Sequence, residues 1–413
     1  MKGTIFTAKR LLPLPNHWVE GGGLLVVNGR IEEILESPAA VRRVARELGL
    51  SVTDLGEGLV VPGTVCAHAH LELSALVGRV ESGADMLPWI GRVIEERGKL
   101  EVGEAEASAI AGARALVESG TTLIGDIDSL GGEALPAEQP GVRRVAFREL
   151  LDGGDATRTA AVLETVSDPL PSSELRIEGV SPHAPHTVSQ ELLAEVSRLA
   201  GSRQLPVQVH WSETREEAEW LLTGGGPFAA LLQDAPRMSG LDWLERAGLL
   251  QTALSLVHGN FPEPGEPARL RAAGVALVHC PGSHAFFERA PFPYALYRES
   301  GVTLALGTDS LASNRSLDMR REMRLFRESA PELSAREVWT MATQGGASAL
   351  GRAGLAGELS PGACADFAVV AVEEAEPRAA LDALTAAEPT VREVWIGGSR
   401  VAPDPSSDLP RTR

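Results

Sequence analysis

The chain has 413 residues, 44% of them hydrophobic, and a formal charge of −18 from 38 basic and 56 acidic side chains. That length exceeds one ordinary core and asks for a large domain with a smaller companion, while the acidity argues against a nucleic-acid partner, whose phosphates call for a basic surface. No run approaches the roughly 18 apolar residues of a membrane span and no apolar core of signal-peptide length opens the chain, so no membrane partner and a cytoplasmic location are expected.

In chain order, residues 22–35 (GGLLVVNGRIEEIL) read as a hairpin turning at Asn28-Gly29. Near the other end, Ala365–Val372 and Val391–Val401, with Gly397-Gly398 at a turn, give the same signal. Two β-rich ends around one long middle predict a small β-sandwich domain built from residues 1–60 and 360–413, with the tail after Pro403 frayed. Cys66, Cys280 and Cys364 are far apart and without C-x-x-C spacing, which reads as buried free thiols.

The middle, residues 61–359, alternates apolar runs with amphipathic stretches. The runs are Val60–His70, Thr121–Asp128, Val142–Leu150, Leu175–His183, Pro206–Glu213, Leu254–Asn260, Val275–Pro281 and Val302–Ser310. Helical patterns cover Glu104–Ser119, Gln190–Ala200, Ala268–Ala273 and Ser334–Leu350, whereas Gly131–Gly141 and Thr223–Asp242 read as loops. Eight such βα units make an α/β fold of the (β/α)8 TIM-barrel type, with a doubly wound open sheet as the alternative.

Barrel enzymes carry their chemistry on the C-terminal ends of the strands. Here those ends hold His68 and His70, His183, His210 with Glu213, His258, and Asp309; of the nine histidines only His17 lies elsewhere. His68 and His70 are two apart, so in a strand both imidazoles leave one face. With His210 and Asp309 they offer three imidazoles and a carboxylate, a donor set for one divalent ion, Zn²⁺ first and Fe²⁺ second, with a position open for water. Glu213, three residues past His210, is placed to carry a proton, and His258 to hold the attacking water. Taken singly, Glu213 reads equally as a helix N-terminal acid and Asp309 as a helix cap. The His70-Leu71-Glu72 triplet starts the H-x-E signature of another zinc deaminase fold, but the P-C-x-x-C it needs is absent.

The pieces VPGTVCAHAH, SPHAPHTVS, VHWSE, LVHGN, HCPGSH and GTDSLASN, spread over residues 61–314, together resemble the amidohydrolase superfamily, in particular its aminohydrolase branch with a single metal. The resemblance implies that His68, His70, His210 and Asp309 bind the metal, that Glu213, His258 and Asp309 are catalytic, and that His183 contacts substrate. Cys66, Trp211-Ser212 and His284 depart from the commoner residues of these motifs, which leaves the pocket's chemistry open. Two-metal members are generally bridged by a carboxylated lysine on a central strand; the only lysines here are Lys2, Lys9 and Lys99, which excludes a lysine-bridged pair but not a carboxylate-bridged one, and one ion per chain fits better.

Within that branch the HLELS continuation, the HWSE variant and HCPGSHAFF look most like the aminohydrolases acting on 6-aminodeoxyfutalosine in menaquinone biosynthesis. A small-molecule purine nucleoside is then the partner, and a homodimer is left open. His183 would meet the adenine, Glu72 and Glu149 the ribose hydroxyls, and Arg148 or Arg289 with Phe286 and Phe287 the benzoate; His284 is placed with these substrate contacts. Rival readings are deamination of S-adenosylhomocysteine, methylthioadenosine or adenosine, a chlorohydrolase or cyclic-amide hydrolase on the same scaffold, and a silent binding protein, which a missing ligand would mark.

Overall fold

The computed structural model describes residues 3–81, 83, 86–131, 135, 141–374 and 376–402. The expected tail after Pro403, and most of the expected loop over 131–141, lie outside these residues.

Eight parallel strands form one sheet in strict chain order: Thr64–Ala69, Thr121–Asp128, Arg143–Leu150, Arg176–Pro182, Pro206–Trp211, Ala253–His258, Ala276–His279 and Leu304–Leu306. These are barrel strands one to eight below. Each is a short apolar run buried along nearly its whole length, as a strand covered on both faces must be. The sheet closes on itself through a parallel bridge between Ala69 and Asp309, and the amides of Thr308 and Asp309 donate to the His68 carbonyl at 3.0 and 3.1 Å. Closure thus joins the first and last strands at the residues that carry the site.

Between the strands the helices start on side-chain caps. Ser189 accepts from Leu192 N at the head of Gln190–Arg203, and Thr214 accepts from Glu217 N at the head of Arg215–Thr223. The stretch 223–242 is loop except for a short turn at Pro227–Ala230 and the start of the helix Gly240–Arg246. Among the described residues no helix is long and apolar enough to cross a membrane.

The two ends of the chain build two further sheets. One has four strands, Gly3–Thr7, Gly23–Val27, Arg30–Leu35 and Ser51–Asp54; the expected hairpin lies in it, with Asn28 and Gly29 both at positive φ, as its tight turn requires. The other has six and pairs Leu59–Pro62 with Phe367–Val370. Phe6, Leu24 and Ile31 of the first pack against Val60, Phe367 and Val369 of the second, with the Phe6 and Phe367 rings 5.2 Å apart, so the pair is a sandwich. Truncating Phe6 to Ala there would cost about 3–5 kcal/mol.

The run Val60–His70 is therefore two strands rather than one. Leu59–Pro62 belongs to the terminal sheet, the barrel starts at Thr64, and the change occurs at Gly63, where a Cβ would lie 2.2 Å from the Thr122 side chain. An uninterrupted apolar run carries no signal of such a handover.

Candidate active site

At the C-terminal mouth of the barrel, His68, His70 and His210 bring one ring nitrogen each to within 4.8 Å of one another. His68 Nδ1 lies 2.7 Å from Gln208 Oε1, while Gln208 Nε2 donates to the Ala67 carbonyl and to Ser255 Oγ, both at 3.0 Å. Because the amide nitrogen is committed to a carbonyl, Oε1 must face His68, and Nδ1 must carry the proton. His68 Nε2 is left as a buried lone pair with no protein partner. His210 Nδ1 likewise donates to the His183 carbonyl at 2.9 Å, which frees its Nε2.

The Nε2 atoms of His70 and His210 are 3.2 Å apart. Burial pushes the His70 imidazole down to about 3 and His210 well below its usual value, so both rings are neutral near pH 7. With the His210 proton on Nδ1, this contact is a hydrogen bond if His70 keeps its proton on Nε2, and two lone pairs converging on one cation if that proton sits on Nδ1. Two imidazoles at 2.0–2.1 Å on a tetrahedral ion would be about 3.3 Å apart, so this spacing fits a bound metal. Asp309 Oδ1 lies 3.7 Å from His68 Nε2 and 3.8 Å from His70 Nε2, a carboxylate oxygen within reach of the same ion. Its carboxylate is oriented by the Ser310 amide and by Ser313 Oγ, both at 2.9 Å. Burial alone would raise it, but the neighbouring imidazoles of His68, His258 and His70 outweigh this and hold it well below the usual carboxylate range.

Beside this cluster, Glu213 Oε2 lies 3.6 Å from His258 Nε2. Glu213 is fixed at every backbone atom that can bond: its amide donates to Glu217 Oε2 at 2.8 Å, and its carbonyl accepts from Asn260 Nδ2 at 3.0 Å. Its other carboxylate oxygen pairs with Arg289 at 2.9 Å. Burial tends to raise this carboxyl, but His258 and Arg289 outweigh it and the net shift is downward. Ser212, His258 and Asp309 all have positive φ, three of nine such non-glycine residues among those described. Such backbone costs about 1–3 kcal/mol each and persists where a site needs a side chain re-aimed.

His183 Nδ1 donates to Thr187 Oγ1 at 2.7 Å, since that hydroxyl is itself committed to the Ala184 carbonyl, and one of its ring nitrogens lies within 4.8 Å of a Glu149 carboxylate oxygen and a His210 ring nitrogen. Glu72 is buried, with Oε1 accepting from Ser129 Oγ at 2.9 Å and Oε2 without a partner. Burial, then Asp126, Asp128 and Glu149, push it up to about 8. Glu72, Glu149, His183, Glu213, His258 and Asp309 thus gather in or beside one site with the three-histidine cluster.

Arg148 does not. Strand neighbours point to opposite faces; with Glu149 turned to the histidines, Arg148 faces outward, where it pairs with Glu178 at 3.0 Å and with the carbonyls of Asp168 and Thr165. His284 stands beside the site, but its two ring nitrogens are engaged by Asn260 at 3.2 Å and the Ala290 carbonyl at 2.7 Å, so it braces the loop that carries Arg289. His279 is core, its ring stacked 3.9 Å from that of Phe292. Gln208, Glu217, Asn260 and Ser313 went unread; of these only Gln208 carried a signal, an amide two residues before a ligand in an otherwise apolar strand.

The sequence profile of the amidohydrolase family matches residues 59–401. The chain belongs to the amidohydrolase family. It is accordingly a hydrolase acting on carbon–nitrogen bonds. It is 30% identical over 387 residues to a 5-methylthioadenosine/S-adenosylhomocysteine deaminase of Halobacterium salinarum, covering 90% of this chain and 84% of that one. It is also 30% identical over 351 residues to the aminodeoxyfutalosine deaminase of Deinococcus radiodurans, covering 80% and 81%. Among solved structures, an adenosine deaminase from Xanthomonas campestris with bound zinc superposes at a TM-score of 0.78, with 25% identity, over 96% of this chain and 92% of that one.

Proposed function

We propose that this protein removes the 6-amino group of an adenine nucleoside by hydrolysis, releasing ammonia, and that its substrate is 6-aminodeoxyfutalosine in menaquinone biosynthesis. The observation that carries the deaminase reading is the pairing of the buried His68, His70, His210 and Asp309 set with Glu213, whose free Oε2 faces His258 at 3.6 Å. The relatives named above support it.

His68, His70, His210 and Asp309 would hold one divalent ion, Zn²⁺ or Fe²⁺. Such an ion lowers the pKa of a water toward neutrality. Glu213 Oε2, held ionised by its neighbours, would take one proton from the attacking water as the water oxygen bonds to C6, and deliver it to N1 of the ring. His258 Nε2 donates to or accepts from the same water and keeps it aimed. As the C6–N bond breaks, the Glu213 carboxylate takes the second proton, from the C6 hydroxyl, and passes it to the departing amine, so ammonia and a 6-oxopurine leave and the carboxylate is restored. His183 borders the ring, and Glu72 and Glu149 are the acceptors for the ribose hydroxyls. The benzoate needs a cation other than Arg148.

Methylthioadenosine, S-adenosylhomocysteine and adenosine are the rival substrates. Competition at equal concentration tests the assignment: a site with a benzoate subsite favours aminodeoxyfutalosine in kcat/KM by on the order of 10²-fold, about 2.7 kcal/mol of transition-state binding. Preference for a sulfur nucleoside would overturn the substrate and leave the deaminase reading in place. Release of chloride from a triazine without release of ammonia from any nucleoside would overturn both.

A further inference from the structure

The Arg289 guanidinium makes two bonds to one residue: Nη2 to Glu213 Oε1 at 2.9 Å and Nη1 to the Glu213 carbonyl at 2.8 Å. It is itself held in place. Glu288 turns the chain at φ 51°, the Arg289 amide donates to the His284 carbonyl at 3.3 Å, and the guanidinium lies over the Phe287 ring with Cζ 4.6 Å from its centre. Phe287 packs in turn edge-on against Trp89, with ring centres 5.2 Å apart. The Arg289 side chain is only 8% exposed. Such investment in a single rotamer is more than a charge waiting for a ligand requires.

A carboxylate has two oxygens and rotates about its last torsion with little resistance. In Glu213 one of them is spent on Arg289, which leaves Oε2 as the oxygen turned to His258. Arginine cannot be deprotonated in a protein, so it cannot take part in the proton traffic it borders. A lysine would not serve as well, because one ammonium does not present the planar fork that bridges a carbonyl and a carboxylate together.

We propose that Arg289 is a positioning residue for the reaction: its guanidinium clamps the carbonyl and Oε1 of Glu213, so that Oε2 alone takes and returns the proton. The proposal rests on the deaminase reading and extends it, and it competes with the assignment of Arg289 to an anionic group of the substrate. The two differ in what removal does. Loss of a clamp misplaces the proton carrier for every substrate, and misplacement by about 1 Å costs on the order of 10²-fold. Loss of an anion contact weakens only the binding of substrates that carry the anion.

The test compares wild type with Arg289→Ala and Arg289→Lys, each checked for fold by circular dichroism and for zinc content. Turnover of methylthioadenosine and of aminodeoxyfutalosine is measured with and without millimolar guanidinium chloride, and zinc-loaded crystals of wild type and the Ala variant are compared. The expected result is a fall in kcat of about 10- to 100-fold on both nucleosides with KM within about threefold. Guanidinium should restore part of the loss in Ala, Lys should fall between, and the Glu213 carboxylate should be turned away from His258 in the Ala crystal. An unchanged kcat, or a rise in KM confined to aminodeoxyfutalosine, would overturn the clamp. If wild type turns over no nucleoside, the deaminase reading fails; the crystals still decide the clamp, because Glu213 unmoved in the Ala variant contradicts it.

Discussion

Replacing Gln208 with Leu removes the acceptor that His68 Nδ1 meets at 2.7 Å, while nearly conserving volume. Two consequences can be sized. With its proton no longer tied to Nδ1, His68 is free to adopt the tautomer that turns an N–H toward Asp309 and the cluster, and loss of a bond that orients a ligating histidine typically lowers metal affinity 10- to 100-fold, or about 1.4–2.7 kcal/mol. The Ala67 carbonyl and Ser255 Oγ also lose their donor in a fully buried place. Partly offset by the apolar leucine, this should cost the metal-free protein about 2–4 kcal/mol of stability. Competition against a chromophoric chelator measures the zinc affinity, and urea unfolding of the chelated protein measures the stability. Stability falling with zinc affinity unchanged within twofold would refute the reasoning, because Gln208 would then be core filler and not the residue that fixes the ligand.

Three further outcomes are expected. Glu213→Gln should keep substrate and zinc binding near normal and lose about 10²-fold or more in kcat, read by steady-state kinetics; a change in KM alone would make Glu213 a binding residue. Asp309→Asn can still accept from the Ser310 amide, so it should fold, yet hold well under one equivalent of zinc by metal analysis where wild type holds one. Glu72, pushed up from 4.5 to about 8 by burial and by Asp126, Asp128 and Glu149, binds more protons folded than unfolded between those values. Stability of the metal-free protein should therefore fall as pH rises from 4.5 to 8, and Glu72→Gln should flatten that slope in urea midpoints taken from pH 5 to 9. Equal slopes in the two proteins would contradict the shift.

The barrel was legible because each strand is a short, nearly unbroken apolar run, and the histidine cluster because its members end those runs where the side-chain period is two. What ran through the break at Gly63 was invisible, since Leu59–Pro62 and Thr64–Ala69 are buried alike although they belong to different sheets. Arg148 misled for a related reason: its strand is buried on both faces, so polarity near the strand end does not tell the inward Glu149 from its outward neighbour. The residues that hold the site in register, Glu217 on the Glu213 amide and Asn260 on its carbonyl, act through the backbone. Such contacts depend on how loops from different strands meet, which no local pattern encodes. Arg289 was readable as a cation near the mouth, but its partner, 76 positions earlier in the chain, was not.

The central claim is that this constellation deaminates an adenine nucleoside at one metal ion. Zinc-loaded protein with a measured metal content is mixed with aminodeoxyfutalosine, methylthioadenosine, S-adenosylhomocysteine and adenosine in turn, and ammonia and the 6-oxopurine product are quantified together. The account predicts equimolar ammonia and 6-oxopurine from at least one of them at one zinc per chain, abolished by chelation and restored by zinc. No ammonia from any of the four, or full activity surviving removal of the metal, would contradict it.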